Sequence, residues 1–446
     1  MLTIQLTAAE PLPLVSNRAA TVWLTVAVLA TAFFFIEHTN SQVSNLEAFT
    51  LTGDEASERA AEGDMGRRFA IPGIALFGAM LLMRRDGTRV GLRSRLGWLL
   101  LGYITWCGMS ILWSSDPSLT LRRFSVLMFC SIGALGIARQ LSLRDLCLVT
   151  LITTTMLVMN GVRTEVVLGT FHPFSSEYRF AGTVHPNVQA PYCATMALAA
   201  ACLLSRAKRG RLLLWALCLT AIVLLVLTKS RTVCGAFVAG MMVYYSFNMP
   251  WPKKIAAVTA ILWAGCTVAL IVSLLGWDIE RLVVNAVLIG RQDEAESLSG
   301  RVPLWAALVP HVQDHFLFGH GYLTFWSPQR IESFSRSFQW TVPDGHCAFL
   351  DTFLDLGLIG AGLCLMAIVI GVREVAHRCL NSSDVGYGFL LALLVCRSLN
   401  GVLESAFSTP TTFGAFIMVC GLAHLGFCSD PEYSTPLREL SKEVGR

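Results

Sequence analysis

Charge is scarce in this chain. Only 14% of its 446 residues are Asp, Glu, Lys or Arg, against roughly 25% in an ordinary globular domain. Hydrophobic residues make up 54% and mean hydropathy is +0.59, which excludes a water-soluble fold. The formal net charge of +4 is too small for an electrostatic grip on nucleic acid, so no such partner is expected. No C-x-x-C occurs among the 14 cysteines. Most of them (Cys107, Cys130, Cys218, Cys266, Cys364, Cys420) lie inside apolar runs and read as small buried hydrophobes, not as disulfides or metal ligands. Neither a Walker-type nor a dinucleotide-type glycine motif stands at a strand–helix junction, and no cofactor is expected. Internal repeats and the paired broken helices of inverted-repeat transporters are also missing.

What the chain has instead is apolar runs long enough to cross a hydrocarbon layer about 30 Å thick. About twelve are legible, near 20–36, 69–83, 97–113, 124–138, 146–162, 190–205, 212–228, 232–249, 255–276, 349–372, 386–403 and 409–427. The fold class expected is an all-α polytopic membrane protein forming one integral membrane domain. The first run is flanked by Glu10 and FFFIEHTN, without a small-residue cleavage pattern, and reads as a retained span. Lys and Arg are dense in the short loops around Arg84–Arg95, Arg206–Arg211 and Lys253–Lys254. By the positive-inside rule these face the cytoplasm with both termini, including a short tail at 428–446. The long loop at 277–348 then faces outward, towards the periplasm in a bacterium.

That loop is the longest break in hydrophobicity, and it is rich in Arg and His: Arg281, Arg291, Arg301, His311, His315, His320 and His346. Its Trp-bearing segments read as amphipathic interfacial helices, which would account for Trp305, Phe316 and Trp326. His311 and His315 are spaced for one helix face, but no Cys or well-placed carboxylate completes a metal set, and no metal is expected. Other candidates lie at the same membrane face. RFAGTVHPNVQAPY puts Arg179, His185 and Asn187 at the mouth of the sixth span, with Pro186 suited to a first turn and Asn187 to a cap. LTKSRT puts Lys229, Ser230 and Arg231 in a tight turn, where snorkelling competes with phosphate binding. His346 at the head of the tenth span could take a proton from a hydroxyl, although a boundary histidine is often structural. Arg397 and Glu404, seven residues apart in the eleventh span, would line one polar cavity. Snorkelling alone predicts no such concentration of Arg and His outside, whereas an anionic lipid-linked substrate does.

These blocks, in order, resemble the O-antigen ligase and polysaccharide polymerase superfamily. HPN follows RFAGTV, T-x-S-R stands in LTKSRT, S-G-R-x-x-L-W in LSGRVPLW and G-x-G in FGHGYLTF. A histidine then leads into D-L-G-L-I-G, and WSSDPSLTLRR resembles the outer loop after the third span. The resemblance covers roughly residues 95–425 and implies a C-type membrane glycosyltransferase fold. It implies an inverting, metal-independent transfer of glycan from undecaprenyl diphosphate to an acceptor hydroxyl at the periplasmic face of the inner membrane. Arg231 and Arg301 match the diphosphate-binding arginines and His346 the histidine near the acceptor. Arg179, His185 and Asn187 match the sixth-span block, and Lys229, Arg397 and Glu404 are further candidates for substrate contact. The departure is Cys347, where members usually carry Asn. The short C-terminus and the DGHC variant point towards an exopolysaccharide polymerase. The alternatives are a ligase using lipid A–core as acceptor and, from another class, a flippase for lipid-linked glycans, which would need charges along a mid-membrane path. A flippase and a chain-length regulator are the implied protein partners.

Overall fold

The computed structural model describes residues 15–38, 65–92, 94–248, 300–382, 384–405 and 410–428. The ninth expected span, Arg281, Arg291, the start of the long loop, most of the acidic stretch up to Asp64 and the C-terminal tail lie outside the described residues. The helices near the N-terminus are α1 (Val15–His38), α2 (Met65–Met83), α3 (Arg95–Met109), α4 (Pro117–Gln140) and α5 (Leu143–Leu168). They are followed by α6 (Pro186–Leu204), α7 (Arg211–Leu227), α8 (Arg231–Asn248), α9 (Arg301–Asp314) and α10 (Pro328–Phe338). The last three are α11 (Ala348–Asn381), α12 (Val385–Leu403) and α13 (Phe413–Phe427). Among the described residues, 8 helices are long and apolar enough to cross a membrane, while α7 and α13 are shorter apolar helices. The protein is an all-α polytopic membrane protein, and every expected run except the ninth coincides with a helix.

Local chemistry sets the helix ends. Asp116 caps α4 ahead of Pro117 and accepts from Leu119 N at 3.0 Å, and Ser142 with Asp145 forms a reciprocal capping box on α5. Asp384 caps α12, accepting from Gly386 N at 2.8 Å.

In the bundle, α6 and α12 are central. Ala190, Ala194, Ala197, Ala199 and Ala200 on α6 and Phe389 to Leu394 on α12 are buried. Outer helices turn Trp23, Leu76, Leu212 and Leu213 outward, which suits contact with lipid. Burying Leu against Leu gains little transfer free energy where the alternative is a lipid tail, so close packing holds such helices together. The α2–α4 seam shows it: a Cβ on Gly136 would lie 2.2 Å from Gly78 O.

A second layer sits on the bundle, built from α9, α10 and the start of α11. Its own core is Leu304, Leu308, Phe325, Trp326, Ile331, Val342 and Leu354. The interfacial reading of the tryptophans is corrected here. Trp326 is buried and Trp305 packs against the same core, because both indoles find buried acceptors (Asp351 Oδ1 and Gly345 O, each at 2.8 Å). Phe316 does remain exposed.

The two layers meet where α11 breaks. Gly357 has φ 66° and ψ −169°, a region only glycine occupies readily. The break frees helix amides and carbonyls, which need partners in a buried setting. The FLFGHGY segment supplies them. His320 N and Gly321 N donate to Leu354 O and Asp355 O at 2.9 and 2.8 Å, and Leu358 N donates to Phe316 O at 2.8 Å. Trp106 Nε1 donates to Leu356 O at 3.1 Å. Two backbones in such contact leave no room for side chains: a Cβ on Gly357 would lie 2.3 Å from Leu317 C, and one on Gly319 (φ 70°) 2.4 Å from Asp355 C. The G-x-G block thus plugs a helix break. Gly357→Ala is expected to cost roughly 1–3 kcal/mol in strain before the clash is counted, lowering the thermal midpoint in detergent. Gly362→Ala, with nothing within 4 Å of the new methyl, should leave the midpoint unchanged.

Candidate active site

Five chain segments meet at the end of the bundle that carries the second layer. Arg301 is the first residue of α9, set up by Gly300 at φ 82°. Glu404 follows α12 as its C-cap in an extended conformation. Arg301 Nη2 donates to Glu404 Oε1 at 2.6 Å, with the two side chains only 12% and 15% exposed. Asn187 Nδ2 donates to the same oxygen at 3.1 Å. Arg179 Nη2 donates to Asn187 Oδ1 at 3.0 Å, and Arg179 Nε to Thr228 O at 3.1 Å. Thr228 opens the turn that leads through Lys229 and Ser230 to Arg231, the first residue of α8.

His346 faces this network from the loop before α11. Its Nδ1 lies 3.5 Å from Glu404 Oε2 and 3.6 Å from Asp344 Oδ1. Its backbone is left-handed, at φ 49°, a conformation that costs a non-glycine residue about 1–3 kcal/mol. Neighbours hold it there: His346 N donates to Asp344 Oδ1 and Gly345 N to Asp351 Oδ1, each at 2.9 Å, and Gly345 O accepts from Trp305. The Trp340 indole lies over the imidazole at 5.4 Å between centroids. Burial works against a charge on His346, but the carboxylates of Asp344 and Glu404 outweigh it and Arg301, so the imidazole titrates above its ordinary value.

Four helices (α6, α8, α9 and α11) begin at this corner and point their amide-rich ends towards it, adding positive potential to that of the arginines. The arrangement can hold an anion beside an imidazole that can exchange a proton.

The other candidates among the described residues are placed as follows. His185, not Asn187, caps α6: His185 Nδ1 accepts from Asn187 N at 3.2 Å, which leaves the Asn187 amide for Arg179 and Glu404. Lys229, with φ 54°, donates through Nζ to Ser176 O and so clamps the preceding loop. Arg397 is buried and placed by α13, with Nη2 3.4 Å from Thr412 Oγ1 and its guanidinium against Gly414. Arg397 thus sits against the start of α13, while Glu404, seven residues on, faces Arg301, Asn187 and His346. His315 and His320 lie against each other in the second layer, their rings tilted by 51° with centroids 4.1 Å apart. Burial, then Arg330 and His315, push His320 down to about 4, which suits its place at the helix-break plug.

Glu165 was not singled out, yet it shapes the site. Its side chain is 1% exposed. Oε1 accepts from Ala181 N at 2.8 Å and Gly182 N at 2.7 Å, and Oε2 takes the Tyr178 hydroxyl. It staples the loop that presents Arg179. The signal was available: an acidic residue near the end of an apolar run is expensive unless it has partners.

Residues 216–365 match the family model described as O-Antigen ligase. That stretch is similar to O-antigen ligase domains. The match supports, for this chain, a membrane glycan-transferring enzyme of the ligase and polymerase kind. No curated protein matches the chain. The matched stretch of the O-antigen ligase domain runs from α7 into α11 and contains Lys229, Arg231, Arg301 and His346. Arg179, His185, Asn187, Arg397 and Glu404 lie outside it; Arg179 reaches it at Thr228, and Glu404 at Arg301 and His346.

Glu165→Ala should cost about 1–3 kcal/mol by leaving buried amides without an acceptor, read as a lower thermal midpoint in detergent. Glu165→Gln keeps one acceptor oxygen and should recover most of that loss.

Proposed function

We propose that the protein polymerises lipid-linked repeat units into exopolysaccharide at the periplasmic face of the inner membrane, with both termini in the cytoplasm. The donor is an oligosaccharide on undecaprenyl diphosphate and the acceptor a sugar hydroxyl on a second carrier-linked chain. The observation that carries this reading is the Glu404 carboxylate shared by Arg301 and His346, which joins an anion-binding cation to a proton acceptor.

Arg231 and Arg301 neutralise the diphosphate as it leaves, and Arg179 and Lys229 extend the positive surface. A guanidinium has five N–H donors, so Arg301 can hold Glu404 through Nη2 and still offer a phosphate two parallel bonds. With Nδ1 of His346 turned to two carboxylates, the proton on that nitrogen stays there and Nε2 is the basic nitrogen. The acceptor hydroxyl gives its proton to Nε2 as its oxygen attacks the anomeric carbon. The carbon–phosphate oxygen bond breaks, the diphosphate departs as an anion, and the anomeric centre is inverted. No step calls on a metal or a nucleotide.

The ligase reading, with lipid A–core as acceptor, is favoured by the description of the matched family and uses the same chemistry. Complementation separates the two. In a strain lacking the gene, the wild type should restore high-molecular-mass exopolysaccharide with lipopolysaccharide unchanged. Arg231→Ala, Arg301→Ala and His346→Ala should each fail. Recovery of long O-chains on lipid A–core would identify a ligase, and full activity of all three variants would remove the assignment and favour transport.

The pH dependence has a defined sign. His346 must be neutral to act as a base, so the rate should rise with pH through its elevated pKa. Asp344→Asn removes one of the carboxylates that raise it. The acid limb of the pH–rate profile should therefore move to lower pH, as measured in membrane vesicles with a lipid-linked donor.

A further inference from the structure

The proposed mechanism needs His346 and Glu404 in fixed register, yet they belong to different segments: the loop before α11 and the residue after α12. One backbone bond joins the segments directly, from Ala348 N to Glu404 O at 3.3 Å. The stronger tie runs through Asp351, one turn into α11 and 2% exposed. Its Oδ1 accepts from Gly345 N, next to His346, at 2.9 Å and from Trp326 Nε1 at 2.8 Å. Its Oδ2 takes the hydroxyl of Ser405, the residue after Glu404. Ser405 Oγ also lies 2.9 Å from Asp344 Oδ1, and Asp344 is itself one of the carboxylates facing His346. One buried side chain therefore grips both flanks of the His346–Glu404 pair and the core of the second layer.

We infer that Asp351 is a positioning residue, which sets the distance and orientation of His346 relative to Glu404 and Asp344 through Gly345 and Ser405. It touches neither the diphosphate nor the acceptor in the proposed mechanism. It acts by holding a strained loop: the left-handed backbone of His346 persists only while its surroundings over-determine it, and Asp351 supplies an acceptor beside that residue. The inference rests on the reading of His346 as the base. The groups that set the imidazole's charge are Asp344 on its own loop, Glu404 beyond α12 and Arg301 on α9. If the loop moves, the carboxylates and the imidazole separate together.

An isosteric test exists. Asn at 351 keeps an acceptor for Gly345 N and Trp326 Nε1 and offers an N–H to Ser405, whereas Ala offers neither. Transfer is followed against pH in membrane vesicles with a lipid-linked oligosaccharide donor, normalised to the amount of folded protein. Asp351→Ala should lower the rate by roughly tenfold or more, as loss of alignment does. It should also shift the acid limb to lower pH, towards about 6.5. Asp351→Asn should recover most of the rate and restore the wild-type limb, and Ser405→Ala should shift the limb in the same direction as Asp351→Ala. A second readout needs no catalysis. Cys347 follows His346 and is half-buried, so its labelling by a membrane-impermeant thiol reagent, with Cys347→Ser as background, reports the loop directly. Labelling should speed up in Asp351→Ala and not in Asp351→Asn. Unchanged labelling and an unchanged acid limb in both Asp351→Ala and Ser405→Ala overturn the inference. Full transfer by His346→Ala overturns the base reading instead, and the labelling result then still decides whether Asp351 holds the loop.

Discussion

The Glu404 carboxylate is the interaction on which the candidate site depends. It accepts from Arg301 and Asn187 through one oxygen and turns the other to His346. A half-buried carboxylate with a single partner would be costly in this setting, since desolvation can exceed the gain from one ion pair. Sharing it among three segments offsets that cost and brings three otherwise independent parts of the chain into register. Removing it would leave a guanidinium and an imidazole facing each other, with Asp344 as the nearest remaining counter-charge.

The broken helix provides the rigid frame for that contact. α11 supplies a transmembrane stretch beyond Gly357 and a short outer stretch before it, and the outer stretch carries Asp351 and Asp355 into the second layer. Asp355 Oδ1 accepts from Phe325 N at 3.0 Å, so both acidic residues bind backbone or indole donors of that layer. Glycines at 319 and 357 allow the FLFGHGY segment to lie directly on the break. A motif that invites comparison with phosphate-binding loops is thereby accounted for by main-chain packing. The helix-initial arginines, Arg231 and Arg301, lie elsewhere.

Residues inside and outside the matched ligase domain contribute together. Arg301 and His346 come from within it and Glu404 from outside; the Arg301–Glu404 contact crosses 103 residues of chain, and Glu404 also holds Asn187, 217 residues away and likewise outside. A staple such as Glu165, buried on α5, shows how the rest of the bundle serves the site: it orders the loop bearing Arg179 without reaching the site itself.

The sequence by itself determined the class of the protein and the helices that carry it. Hydropathy and capping are local properties, so the apolar runs, Asp116 before Pro117 and the Ser142–Asp145 box could be read from neighbouring letters. That Arg and His would gather at one end of the bundle was also legible, because loops inherit their end from the order of the spans. Only the tertiary structure decided that Glu404 joins Arg301 and His346, that Arg397 is held by α13, that His185 takes the cap expected of Asn187, and that Trp326 is core. Those outcomes depend on hydrogen bonds between residues far apart in sequence, and a buried donor takes whichever acceptor the packing brings within about 3 Å. Periodicity has no access to that choice: an acidic letter in apolar surroundings, such as Glu165 or Asp351, signals that a buried partner is needed but not which residue supplies it.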